Sequence, residues 1–331
     1  MFNAAGLPAL FLLVTLATAG CRPPPRALSL GVPLSAQASL VWLALDLGYF
    51  DAEGLRVAAR PFPSGKRALE ALLRDEIELA VSAETPFAIA AFDHPELRLF
   101  ATIGGSDNDM RVLARRDHGI DHIEDLAGKT LATQSASAVH FFLRGFLLFH
   151  GLDGRLPPLR FLKIEALPSA LTRGDVDAIA AREPFLSQAR AAIDARRRIE
   201  FALPGLYTKT HNLVGREGYR EAHPDTIERL LRALDRARRY ARARPERAIT
   251  RLARRLSLPR EALARLWPSL RLRLSLDQGL LTTLREEAQW AIDDRLVPDH
   301  EAPPDFLGFL DPQPLRHALP NDFGLLGLME E

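Results

Sequence analysis

Cysteine is almost missing: Cys21 is the single one among 331 residues. A lone cysteine excludes a disulfide framework and a thiolate metal cluster. Net charge is nearly missing too, with 43 basic residues against 42 acidic ones. No global field therefore draws the chain to nucleic acid or to an anionic membrane. The apolar run Leu7–Ala19 is too short to span a bilayer, which takes about 20 residues. What remains is ordinary for a globular protein, at 47% hydrophobic and 26% charged. The length allows about two domains.

The basic residues are nearly all arginine. Runs such as Arg236–Arg244 and Arg251–Arg255 are interleaved with apolar residues at helical spacing. They read as solvated helix faces in an arginine-biased chain rather than as a nucleic-acid or lipid face. Pro63-Ser64-Gly65-Lys66 lacks the upstream Gly and following Ser/Thr of a nucleotide-binding loop and is not read as one. His118 and His122 have metal-ligand spacing, but Gly119 lies between them in a turn, so no metal site is read there. No Ser/His/Asp arrangement or cysteine nucleophile is legible.

Leu7–Ala19 has the size of a signal-peptide core. It leads through Thr18-Ala19-Gly20 into Cys21, which resembles the bacterial lipoprotein cleavage box. Residues 1–21 are then the signal peptide, Cys21 is the lipidated residue, and 22–27, with three prolines, form a stiff tether. An ordinary secretory signal and a buried N-terminal helix are the alternatives.

Two stretches echo each other. Ala71–Phe87, ALLRDEIELAVSAETPF, and Ala170–Phe185, ALTRGDVDAIAAREPF, align with Thr85 as a one-residue insertion. Each reads as a helix end, an acidic turn, a short buried strand, then Glu, Pro and Phe. The strands are expected at Ile77–Val81 and Val176–Ala180. The proline suits the first turn of a following helix. The loop at each strand's C-terminal end, where ligands sit in open α/β sheets, then carries a Glu. Two such units imply two similar α/β lobes facing each other.

The ordered set GYFDAEGLRV, PSGKRALEALLRDEIELAVSAETPF, GIDHIEDLAGKTLATQSASAVHFFL, ALTRGDVDAIAAREPF and LDQGLLTTLREEAQWAI resembles periplasmic substrate-binding proteins of ABC transporters. The branch is the one for sulfonates, taurine, nitrate and thiamine-pyrimidine precursors. The resemblance covers nearly all of the chain after the signal segment. It implies an α/β fold of the type II periplasmic-binding kind, two lobes each with a mixed sheet flanked by helices, and a ligand cleft between them. Lobe 1 is expected from 28–107 plus 208–331, and lobe 2 from 108–207. The implied function is capture of a small polar or anionic solute and delivery to an inner-membrane permease by a monomeric, lipid-anchored protein in the periplasm. No cofactor and no catalysis are implied. Two alternatives stay open: an enzyme on the same fold, of the thiamine-pyrimidine or menaquinone type, and a binder that feeds a sensor protein.

Ligand contacts are expected on loops that precede helix N-termini, where free N–H groups and the helix dipole gather. They are Gln37 and Ser39, Glu84 and Thr85, Asn108 on the crossing segment, Ser135 and Ser137, His140, and Glu183. Helix capping is the competing role for Thr85 and Ser137. A loop-holding acceptor is the competing role for Glu183, and partial burial for His140. Trp42 and Phe141 read as core. In place of the Gly-Ser-Ser or Gly-Ser-Thr that the family shows, this chain has Ala136-Ser137-Ala138. Helix N-termini favour an anion, whereas Glu84 and Glu183, if they face the cleft, favour a cation or a heterocycle's N–H groups.

Overall fold

The computed structural model describes Met1 and residues 27–152, 154–155 and 159–320. The signal segment, Cys21 and residues 22–26 lie outside the described residues. The chain enters through β1 (Leu28–Pro33), buried as a parallel strand covered on both faces must be. A single 3-10 turn at Ala36–Ala38 leads into α1 (Ser39–Asp46). Gly48, at φ 68°, turns the chain out of α1, a conformation that glycine takes at no steric cost. α2 (Tyr49–Ala52) and β2 (Val57–Phe62) follow. Ser64 caps α3 (Gly65–Leu73), its Oγ accepting from Arg67 N at 3.3 Å. β3 (Leu79–Ala83), α4 (Glu84–Ala90) and β4 (Leu97–Ser106) come next.

The chain then crosses into a second lobe. This holds β5 (Met110–Arg115), β6 (Leu131–Thr133), α5 (Ala138–Phe149), β7 (Arg160–Phe161), α6 (Leu167–Arg173), β8 (Ala178–Arg182), α7 (Phe185–Ala192) and β9 (Arg198–Phe201). It returns through β10 (Lys209–Arg216). The remainder is α8 (Glu217–Ala222), α9 (Pro224–Ala243), α10 (Pro245–Leu256), α11 (Arg260–Leu266), β11 (Leu270–Arg271), α12 (Gln278–Asp293) and α13 (Gln313–Ala318). α9 and α10 both begin on proline, whose missing N–H costs nothing there.

Two mixed sheets result, in strand orders β11-β4-β10-β3-β1-β2 and β7-β6-β8-β5-β9. Parallel pairs place β1, β2 and β3 side by side. The returning β10 inserts antiparallel between β3 and β4. The first lobe's core gathers apolar faces from α1, α3, α9, α10 and α12 around its sheet. The second lobe has a smaller core on each sheet face. The buried core residues run from Leu28 to Leu315, so a chain beginning at Arg22 keeps all of them.

The repeated units are present as β3–α4 and β8–α7. Both strands sit two residues later than expected, at Leu79–Ala83 and Ala178–Arg182. Pairing, not apolarity, sets their ends: β10 holds β3 as far as Ala83↔His211, and β5 holds β8 as far as Arg182↔Met110. Glu84 is consequently the first residue of α4 rather than a loop residue. Pro86 lies in the first turn of α4, whereas Pro184 precedes α7 as its N-cap.

α3 starts hard against the end of β3. A Cβ on Gly65 would come within 2.7 Å of Ala83 N and 3.0 Å of Ser82 Cα, both backbone. Gly65→Ala must push the helix start off the strand, at a cost of about 1–3 kcal/mol. The expected outcome is a lower Tm in a circular-dichroism melt. An unchanged Tm would show that this approach is not tight.

Candidate ligand-binding cleft

The C-terminal ends of β3 and β8 face one small cavity between the lobes, of about 20 Å³. This is where an open α/β sheet places a ligand. The start of α3 and the start of α5 form two of its walls, through Ser64–Lys66 and Ser137–Val139. Lys209 and His211 line it from β10. Strand alternation turns Thr210, between them, to the opposite side.

The lining is cationic. Lys66, Arg182 and Lys209 all line the cavity, and among the described residues no Asp or Glu does. Arg182 is buried; its Nη1 donates to Glu183 O at 2.7 Å and its Nη2 to Pro63 O of the facing lobe at 2.8 Å. Lys66 Nζ crosses the other way and donates to Ser135 O at 3.0 Å. Lys209 is buried and ion-paired with Asp109. Burial lowers the pKa of all three, opposed at Lys209 and Arg182 first by Asp109 and at Lys66 by Glu70. His211 Nε2 lies 3.4 Å from Ser35 Oγ. Burial, then the charges of Lys209 and Arg182, push its pKa well below the ordinary value, so it is neutral at pH 7.

The expected contact residues fall in several places. Ser137 lines the cavity and caps α5: its Oγ accepts from His140 N at 3.4 Å and donates to Gln134 O at 2.7 Å. Ser135 borders it through the carbonyl that Lys66 holds. Gln37 is buried with neither amide atom partnered among the described residues. Its carbonyl presses on Gly104, the register partner of His211. Ser39 Oγ turns back to Ala36 O at 2.5 Å. Asn108 N donates to Ser106 Oγ at 3.2 Å. His140 is buried, its ring against those of Phe161 and Trp290, with Nε2 3.6 Å from Asp294 Oδ2. Burial lowers its pKa to about 4.

Neither Glu84 nor Glu183 lines the cavity. Glu84 Oε2 accepts from Thr210 N and Oγ1, both at 2.8 Å, and its Oε1 accepts from Tyr207 OH. Glu183 accepts from Ser187 N at 3.0 Å and from Arg190 Nη1. Thr85 Oγ1 donates to Glu287 Oε1 at 2.6 Å. Trp42 is buried, with Nε1 donating to Pro33 O at 3.2 Å; Phe141 meets Tyr207 and Trp290 edge-on. His118 Nδ1 lies 2.7 Å from Asp177 Oδ1.

The charged and imidazole side chains that line the cavity, Lys66, Arg182, Lys209 and His211, were not among the expected contacts. A signal existed for the lysines. The chain has only four, at 66, 129, 163 and 209, and two of them line the cavity. A second signal lay in the repeat, where Arg182 stands opposite Ala83. Both line the cavity, so the units differ where they face each other.

The cleft rim carries strain. Ala136, where the resembled family shows glycine, has φ 50°, a left-handed conformation that costs an alanine about 1–2 kcal/mol. Ala136→Gly relieves this, less the entropy glycine loses on folding. A stability gain of up to about 1 kcal/mol is expected in urea unfolding.

Below the cleft, Glu84 and Glu287 share the Tyr207 hydroxyl, which lies 2.9 Å from Glu287 Oε1. Burial raises the Glu84 pKa to about 7. Burial, then the neighbouring Glu84, raises that of Glu287 well above the ordinary value. A carboxyl raised on folding contributes stability that is complete below its unfolded pKa of 4.5 and is lost as pH rises through about 7. Glu287→Gln keeps the Oε1 acceptor and removes the charge. Its Tm is expected to fall less than that of the native chain between pH 5 and pH 8. An equal decline would remove the pair from the pH response.

Comparison with known proteins places this geometry. A family model described as NMT1/THI5 like matches residues 36–248. The taurine-binding periplasmic protein of Escherichia coli (strain K12) is 24% identical over 179 residues, 53% of this chain and 54% of that protein. The match thus spans about half the length of that relative. The periplasmic aliphatic sulphonate binding protein SsuA from Escherichia coli superposes with a TM-score of 0.70 at 22% identity, over 86% of this chain and 91% of that one. The desulfurization enzyme DSZB has the same fold, with a TM-score of 0.62 at 18% identity, over 89% of this chain and 99% of its own. The fold is therefore the expected periplasmic-binding-protein fold, mixed α/β with two sheets. With the family match extending over well more than half its length, the chain belongs to the NMT1/THI5-like family.

Proposed function

We propose that the chain is the solute-binding component of an ABC import system and takes a small sulfonate-like anion in the cleft. One observation carries this reading: Lys66, Arg182 and Lys209 line a cavity that, among the described residues, no carboxylate lines. Two helix starts add free N–H groups and positive dipole ends. The glutamates that would have suited a cation are bonded elsewhere. The names of the taurine and sulphonate relatives agree with an anion.

Binding needs no bond chemistry. An anion would bridge Lys66 of one lobe and Arg182 of the other and so favour the closed form, the usual way a hinged binder couples capture to closure. The closed form is then what a membrane permease receives. We read the protein as a binder and not an enzyme. The relatives named for binding carry this. The same reading places the protein in the periplasm as a monomer, held to the membrane by lipid on Cys21. Labelled palmitate retained by the native chain and lost in Cys21→Ser tests the anchor.

The test of the ligand is calorimetry and thermal shift on the chain from Arg22. The panel is alkanesulfonates, taurine and nitrate against pyrimidines and polyamines. A ligand at one hundred times Kd stabilises by about 2.7 kcal/mol. A sulfonate is expected to raise Tm and a polyamine to leave it unchanged. Arg182→Gln or Lys66→Gln removes a charged hydrogen bond, which is worth about 1.5–3 kcal/mol, and should weaken binding about 10- to 100-fold. A shift with polyamines alone, or with no anion, would overturn the reading.

A further inference from the structure

Spacing alone makes the arginine runs solvated helix faces, but the structure adds a groove and a direction. The groove lies on the first lobe, where α10 packs beside α1 and α9. Arg247, Arg251 and Arg254 line it at i, i+4 and i+7, on one face of α10. The opposite face, with Ile249, Leu252 and Leu256, is buried in the core. All three arginines are exposed. Among the described residues none of the three has an ion-pair partner, although Arg255 and Arg260 beside the groove are paired. The two carboxylates at the groove are already taken, Asp46 by Arg255 and Glu246 by Arg260. Like charges one turn apart repel, so an anion from outside would be favoured beside this row.

The groove faces away from the cleft. α1 begins at Ser39, near the cleft, and ends at Asp46 in the groove wall. From there the chain runs through α2 to Val57, whose register partner is Leu28, the first residue of β1. The groove and Leu28, the start of β1, thus share the remote end of the first lobe. Six residues span at most about 20 Å, so a lipid on Cys21 would hold that end close to a bilayer.

We infer that the Arg247/Arg251/Arg254 groove docks on the anionic phospholipid surface of the membrane that anchors the chain. The orientation rests on the lipid-anchor reading, while the surface is testable without it. Guanidinium groups match phosphate in a bidentate way that ammonium does not. Docked so, the first lobe lies against the membrane and the second is free to swing.

The test is co-sedimentation of the chain from Arg22, which carries no lipid, with vesicles of phosphatidylglycerol and phosphatidylcholine or of phosphatidylcholine alone. Binding is expected to the anionic vesicles only and to fade in high salt, since exposed charges are screened. The triple variant Arg247→Gln/Arg251→Gln/Arg254→Gln should partition on the order of 100-fold less, at one contribution per lost surface arginine. Its sulfonate affinity and circular dichroism should stay unchanged, which separates loss of docking from loss of fold. Equal binding to both vesicle types overturns the inference, as does equal binding by the triple variant. Binding to a poly-glutamate peptide but not to vesicles also overturns it and points to an acidic protein partner. Palmitate labelling of the native chain reports the anchor separately, so failure of one reading is distinguishable from failure of the other.

Discussion

The buried pair of Lys209 and Asp109 ties the two places where the chain passes between lobes. Asp109 stands just before β5, as the chain leaves the first lobe, and Lys209 opens β10, as it returns. An ion pair taken out of water gains little net stability, because desolvation offsets attraction, yet losing one partner costs about 3–5 kcal/mol. The pair therefore acts as a constraint more than as a source of stability. It fixes the two crossings side by side and holds an ammonium at the base of the cleft. Arg182 then arrives beside it from β8, with Asp109 opposing the effect of burial on both cations.

With the cations so placed, the glutamates have to go elsewhere. Glu84 follows β3 directly and would meet the cleft if the strand ended where its apolar run ends. Because β10 pairs through Ala83, the carboxyl is carried to the far side of the returning chain, where Thr210 and Tyr207 bind it. Glu183 is turned to Arg190 and the Ser187 amide of its own helix. One alternation of β10 separates the two chemistries: Lys209 and His211 reach the cavity, Thr210 reaches the acid pair. Sign selection in the cleft is thus a matter of strand register.

The architecture was legible because it depends on local patterns. The Ser137 cap and two similar strand–helix units are short-range signals. The site was less so, because its chemistry depends on direction. The positions of Glu84 and Glu183 were readable, but which way they point depends on partners about 120 residues away for one and on a helix turn for the other. Ser137 lines the cavity, as expected of a capping residue at a strand–helix junction, because that position is both local and cleft-facing. Lys209 and His211 were missed because nothing beside them in sequence places them opposite Ala83 and Ser106; only the β10 register does.

The same cations that could hold a ligand also close the lobes. Arg182 reaches Pro63 O and Lys66 reaches Ser135 O across the cleft. A guanidinium has five N–H donors and an ammonium three. Arg182 spends two on carbonyls and Lys66 one, so donors remain on both for an anion. Carbonyl oxygens are neutral and leave the positive charge uncompensated, which burial makes unfavourable. An anion placed between the two side chains would supply what the carbonyls lack without breaking the bridges. Closure and ligand capture then reinforce each other, since each lowers the cost of burying the charge that the other requires.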